Sequence, residues 1–245
     1  MLDGLIQEDV MNTATPRDPL VLLLFSLTVT TGLVDAVSVL GLGRVFTANM
    51  TGNVVFLGFA VGGAPGFSIP RCAAAIAGFL AGAAIAGRLG TLMENSPRGR
   101  WLMIIAGLEA GLFFASAMIA ADYDIKSLAP ASQLYLMIVM TAIAMGLRNA
   151  TVRRLSVADL TTTVLTLTLT GIAADSTLAG GASPRLSRRL AAVVLMFIGA
   201  AIGAAMVSTV GLAAPLCLTG GVVLFVTVLY TLHPSARLSQ KQALS

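Results

Sequence analysis

Runs of about 20 consecutive apolar residues recur along this chain, each long enough to cross a hydrocarbon core about 30 Å thick. Inside lipid every backbone amide must be satisfied within the protein, so pieces of this length cross as helices. Eight apolar segments stand out: A 20–42, B 47–63, C 71–92, D 101–121, E 132–150, F 160–174, G 190–210 and H 213–232. Only 11% of the 245 residues are charged, against about 25% in soluble domains, too few to cover a core of this size. The expected fold class is therefore all-α, a polytopic membrane helix bundle. Residues 1–19 are expected as a polar cytoplasmic tail without a signal-peptide core, and 233–245 as a second cytoplasmic tail.

Within that frame the first half returns as a second copy. Gly32-Leu33-Val34-Asp35-Ala36 reappears as Gly146-Leu147-Arg148-Asn149-Ala150. Thr47 and Thr51 return as Thr162 and Thr166, and Gly82-Ala83-Ala84-Ile85 as Gly199-Ala200-Ala201-Ile202. The order is kept while the offset drifts from 114 to 117, as small loop insertions would make it. The reading is two internal repeats, 20–121 and 132–232. Duplicated membrane proteins of this kind commonly place a permeation path where the halves meet.

Segments B and F are shorter and more polar than the rest. B carries Thr47, Asn49, Thr51 and Asn53; F carries Thr161, Thr162, Thr163, Thr166, Thr168 and Thr170. Charge decides how they are used. If all eight segments crossed, Arg98, Arg100, Arg148, Arg153 and Arg154 would fall outside, against the positive-inside rule. If B and F are re-entrant, twelve of the fifteen basic residues share one face with both termini, and only Arg44, Arg71 and Lys126 face the other side. Six full spans plus two short polar segments follow, with both termini cytoplasmic. B and F then enter from opposite sides and are expected to meet, enclosed, near the midplane. Ordinary short spans at the centre of an eight-helix bundle are the alternative.

Ionisable side chains inside such segments are costly to insert, so each is a candidate site. Asp35 lies about two-thirds along A at about 1.5 Å per residue, and Glu109 lies near the middle of D. Either serves proton coupling, or is a structural carboxylate bonded between helices. Asn49, Thr51, Asn53, Asn149, Thr162 and Thr166 are the candidate lining of a substrate pathway, with Asp35. Threonines in helices also satisfy themselves on the preceding turn, and this is the bland reading of F. Arg148 is expected to snorkel to the headgroups beside Arg153 and Arg154; pointed inward it would contact an anion. The small-residue ridges Gly78-xxx-Gly82-xxx-Ala86 and Gly199-xxx-Gly203 are scaffold that brings backbones together, and they would equally serve a homodimer.

What the chain lacks is also informative. Two cysteines and a single histidine make no Cys/His metal centre, and no HExxH, CxxC or Ser-His-Asp arrangement occurs. No cofactor, no metal and no enzyme activity are expected. The net charge of +4 is spread between apolar segments, so nucleic acid is not an expected partner; the lipid bilayer and a small polar solute are.

Gly-x-x-Asp-Ala at 32–36, Met50-Thr51-Gly52-Asn53 and Gly-x-x-Asn-Ala at 146–150 together resemble the YoaK-like family of bacterial membrane proteins, over about residues 20–232. The chain departs from that family's pattern at Arg148 and at Thr166-Leu167. The resemblance implies a multi-spanning inner-membrane protein and no particular substrate. The functional expectation is a transporter or permease for a small polar solute, with proton coupling through Asp35. A passive channel, and a membrane scaffold or regulatory subunit, are the alternatives, and a membrane enzyme is the remote one.

Overall fold

The structure, a computed structural model, describes residues 19–157 and 165–237. Eight α-helices are found among them: α1 Pro19–Gly41, α2 Met50–Val61, α3 Ile69–Leu92, α4 Arg98–Ile119, α5 Ala131–Leu155, α6 Thr166–Ala174, α7 Leu186–Val210 and α8 Ala213–Thr231. Prolines mark the starts. Pro19 and Pro70 sit in the first turns of α1 and α3, and Pro97 and Pro130 immediately precede α4 and α5. A missing N–H costs nothing there and the fixed φ is already helical.

Helices α1, α3, α4, α5, α7 and α8 are long and apolar enough to cross a membrane. They correspond to segments A, C, D, E, G and H. The 12 residues of α2 and the nine of α6 extend only about 18 and 14 Å at 1.5 Å per residue. Neither described helix is by itself long enough to cross a hydrocarbon core about 30 Å thick. Segment B leaves and returns at one end of the bundle: the guanidinium of Arg44, just before α2, lies against Gly66 just after it.

The spans pack in distinct pairs. Helix α1 runs along α7 and α3 along α5; α4 lies against α8 and α5, and α8 against α1. The tightest contacts are between backbones. Gly32 faces the Met196 carbonyl and Gly199 the Val29 carbonyl; Gly82 faces the Ile143 carbonyl and Gly146 the Phe79 carbonyl. No side chain fits at these four positions. The short helices are added outside this frame, α2 on α3 and α6 on α7.

Two apolar clusters fill the interior. One joins Leu42, Tyr123, Leu134 and Leu212 at the end that carries the α1–α2 and α4–α5 connections. The other joins Leu20, Trp101, Leu155 and Tyr230 at the opposite end, where residues 19 and 237 both lie. Large apolar side chains such as Leu80, Met118, Phe197 and Phe225 project outward, as lipid-facing positions do.

The enclosure expected for B and F is not given to helices α2 and α6; residues 160–164 of F lie outside the described residues. Asn53 is the only buried residue of α2, while Val54, Val55, Phe59 and Val61 are exposed. Thr168 is the only buried residue of α6, with Leu167 and Leu169 exposed. Several of their polar groups are absorbed locally, although the buried Thr47 hydroxyl just before α2 meets no partner among the described residues. The side chain of Asn53 accepts from the Phe46 N–H at 2.9 Å and donates to the Phe46 carbonyl, and Asn49 caps the start of α2 by accepting from the Gly52 N–H. The Thr170 hydroxyl donates to the Thr166 carbonyl one turn back.

Candidate functional site

The polar centre of the bundle lies elsewhere, where α1, α4 and α5 meet. Arg148 on α5 is 1% exposed and Glu109 on α4 is 3% exposed. The Arg148 Nε–H donates to Glu109 Oε1 at 2.7 Å, and Nη2 reaches the same oxygen in an ion pair. Nη1 turns to α1, donating to the Thr31 hydroxyl at 3.0 Å and to the Leu27 carbonyl at 3.2 Å. Phe113 places its ring 5.9 Å from the guanidinium carbon. One arginine therefore ties three helices together, and every arm of its fork is engaged.

The sequence reason is simple. Arginine presents donors in a rigid planar fork and stays charged even when buried, so it must bring its partners with it. Glu109 supplies the countercharge from the adjacent span. Thr31 supplies a hydroxyl, which itself donates to the Leu27 carbonyl at 2.9 Å. A buried pair of this kind adds little net stability, yet breaking it leaves an uncompensated charge.

Asp35 completes the group. It stands four residues above Thr31, so both project from one face of α1. The Arg148 charge acts on it electrostatically. Its Oδ1 is buried and meets no hydrogen-bond partner among the described residues. Two carboxylates thus belong to the group: Glu109 is bonded to the guanidinium directly, and Asp35 stands one helical turn along α1 from Thr31, which Arg148 also holds.

A small cavity of about 20 Å³ reaches the pair between α1, α4, α5 and α8, lined by Leu23, Leu27, Leu102, Thr151 and Thr227 with Glu109 and Arg148. That is room for about one water molecule. Its walls are mostly apolar apart from the pair and two threonines, and it lies toward the end carrying residues 19 and 237.

The positions expected from sequence divide sharply. Asp35, Glu109 and Arg148 come together, and Asn149 follows Arg148 on α5 with its amide donating to the Met145 carbonyl at 2.8 Å. Asn49, Thr51, Asn53 and Thr166 do not join them; they sit on or beside α2 and α6, with Thr51 and Thr166 exposed. Thr162 lies outside the described residues. Snorkelling of Arg148 is overturned: the chain turns it inward because Glu109 and Thr31 await it there. The Glu109–Arg148 contact spans 39 residues of sequence. The available signal was an acid and a base, each isolated in an apolar run of adjacent segments and each needing a partner. The anion contact imagined for an inward Arg148 is taken up by Glu109.

A second arginine acts at the edge. Arg189 near the start of α7 donates at 2.7 Å both to the Gly171 carbonyl and to Asp175 Oδ2, fastening the last turn of α6 to α7. Groups of three or more residues able to hold a metal do not occur among the described residues.

Fold and site together define a multi-pass α-helical membrane protein with an ionic cluster enclosed between its spans. The chain belongs to the DUF1275 family, described as a protein of unknown function, whose model matches residues 23–229. It is similar to the UPF0700 transmembrane protein YoaK of Bacillus subtilis (strain 168), with 33% identity over 153 residues. That match covers 62% of this chain and 65% of the relative, so the chain spans just under two thirds of that relative's length. No solved structure matches. The YoaK-like resemblance read from Asp35-Ala36 and Met50–Asn53 is thereby borne out.

Proposed function

We propose that this protein is a proton-coupled transporter for a small polar solute, working in the bacterial inner membrane with both termini cytoplasmic. The observation that carries the reading is one buried arginine, Arg148, set between a bonded carboxylate, Glu109, and an unpartnered one, Asp35. Ionisable groups inside a span that pair with one another mark ion and substrate pathways, proton relays among them.

The chemistry follows from the geometry. A proton arriving through the water-sized cavity neutralises Glu109 and weakens its hold on Arg148. Nη1 of Arg148 already rests on Thr31, and Asp35 lies about one turn, roughly 5.4 Å, further along α1. The guanidinium passes to Asp35, and return of the proton reverses the step. Because Glu109 belongs to residues 20–121 and Arg148 to 132–232, the hand-over shifts one half against the other.

An internal repeat underlies that motion in this reading. Exchange of the halves turns the α1–α7 pairing into α5–α3, α4–α5 into α8–α1, and α2–α3 into α6–α7, all of which occur. The glycine contacts follow the same exchange: Gly32 on Met196 matches Gly146 on Phe79, and Gly199 on Val29 matches Gly82 on Ile143. Halves related in this way support alternating access about a central site. The ion pair itself is not duplicated: Arg148 has Val34 as its counterpart, and Asp35 has Asn149.

Purified protein screened by thermal shift against a metabolite library identifies solutes, which are then followed into proteoliposomes. Accumulation driven by an imposed pH gradient, abolished in Glu109→Gln and in Asp35→Asn, is the expected result. Uptake indifferent to the gradient defeats the coupling and leaves a passive channel. The exposed, peripheral placement of α2 and α6 favours a second reading, a scaffold or regulatory subunit. That predicts no flux and a co-purifying partner.

A further inference from the structure

At the end of the bundle that carries residues 19 and 237, a groove of about 430 Å³ opens between the start of α4 and the 3₁₀ turn Pro234–Arg237 after α8. Arg100 and Arg237 line it, both exposed, and Pro97, Gly99, Met103 and Ile104 form its apolar floor and wall. The turn is held close because Gly99 packs directly on Ala236. Two guanidinium groups thus stand over an apolar trough at the edge of the spans.

The outward face of α4 exposes Ile104, Gly107, Leu108 and Gly111, and a methyl group placed on Gly107 or Gly111 would meet nothing within 4 Å. The two glycines leave a shallow furrow flanked by Ile104 and Leu108. From Arg100 to Gly111 it extends about 16 Å at 1.5 Å per residue, the reach of much of an acyl chain. Nearer the mouth, Pro97 gives α4 no side-chain cap, so the positive end of the helix adds to the field of the two arginines.

We propose that this groove is a binding site for an anionic phospholipid. The headgroup phosphate is held between Arg100 and Arg237, and one acyl chain lies in the furrow past Ile104 to Gly111. Planar guanidinium forks match phosphate oxygens in a bidentate manner, and basic clusters beside spans recognise anionic headgroups. The continuity of cationic mouth and apolar furrow selects a lipid over a free anion, which would use the mouth alone. The site is separate from the Glu109–Arg148 pair and does not depend on the transport reading.

The test uses the full chain, delipidated in non-ionic detergent. Thermal unfolding is followed with added phosphatidylglycerol, phosphatidylcholine or glycerol phosphate, and bound lipids are counted by native mass spectrometry. Phosphatidylglycerol is expected to stabilise and remain bound where phosphatidylcholine does not. R100Q/R237Q should lose about tenfold or more in apparent affinity, since charge-assisted bonds are removed, while R88Q/R153Q, on the same end but outside the groove, should keep it. G107L fills the furrow and should weaken the lipid without changing the effect of glycerol phosphate. An equal response to phosphatidylcholine, full reproduction by glycerol phosphate, or unchanged binding in R100Q/R237Q would each overturn the proposal. If R100Q/R237Q does not fold, the preference of the wild-type protein between the two lipids and the G107L result decide.

Discussion

Arg148 of α5 and Glu109 of α4 form an ion pair deep within the spans, and both side chains are almost completely removed from the surface. Each is intelligible only through the other. An isolated charge at this depth would be neutralised or expelled, and the pair is held because Thr31 and the Leu27 carbonyl satisfy the remaining arm of the guanidinium.

Breaking the pair from one side should therefore cost more than removing it. Glu109→Gln or Arg148→Met is expected to destabilise by about 3–5 kcal/mol, whereas Glu109→Gln with Arg148→Met recovers much of that loss. A double-mutant cycle on unfolding in detergent measures the coupling. Additive single effects would contradict the geometry described.

The glycine contacts make an equally sharp forecast. A methyl group on Gly203 would lie 2.9 Å from the Leu33 carbonyl oxygen, and Gly199 sits tighter still against Val29. Gly199→Leu should force α1 and α7 apart and cost at least the 1–3 kcal/mol typical of overpacking, about the order seen in cores. At Gly87 nothing lies within 4 Å, so Gly87→Ala should be neutral or stabilising by up to about 1 kcal/mol through helix propensity. Thermal unfolding of the two variants compares them directly.

Asn53 and Thr51 separate a structural role from a conducting one. Asn53→Ala leaves the Phe46 N–H and carbonyl without their partner, a loss of about 1–3 kcal/mol. Hydrogen exchange should rise around residues 44–49. Thr51 is exposed, so Thr51→Val should stay within about 0.5 kcal/mol of wild type and leave uptake unchanged. A large uptake defect in Thr51→Val would return α2 to the pathway.

The α4–α5 loop carries a pH-dependent contact of its own. The Ser127 hydroxyl, then the Lys126 and Ser127 N–H groups, donate to Asp124 and hold its carboxyl below the usual value. A depressed folded-state pKa means the contact contributes fully above the ordinary carboxylate value of about 3.9 and is lost as pH falls through the lowered one. Carboxyl titration by NMR should show Asp124 rising toward the ordinary value in Ser127→Ala. Next to it, burial pushes the Tyr123 hydroxyl up to about 12, so its 3.2 Å bond to the Gly41 carbonyl should persist through the neutral range.

How far the chain alone reveals this protein differs from residue to residue. Asp35, Glu109 and Arg148 stand out because a charge in an apolar run is visible in one dimension. Asn53 also stands out, but its one-dimensional signal misleads: a polar group inside an apolar segment looks the same whether it lines a path or closes a turn seven residues away. Arg148 misleads in the opposite direction, since Arg153 and Arg154 nearby make it look like part of a headgroup anchor.

The chain by itself determined the membrane class, the six long spans and the two short polar segments, because hydropathy and length act locally and add along a stretch of residues. Tertiary packing decided which faces look inward. Glycine-to-carbonyl contacts set α1 on α7 and α3 on α5, which brought Glu109, Arg148 and Thr31 together and left α2 and α6 outside. No periodicity specifies that outcome, since every face of such helices is apolar enough to meet either lipid or a neighbour.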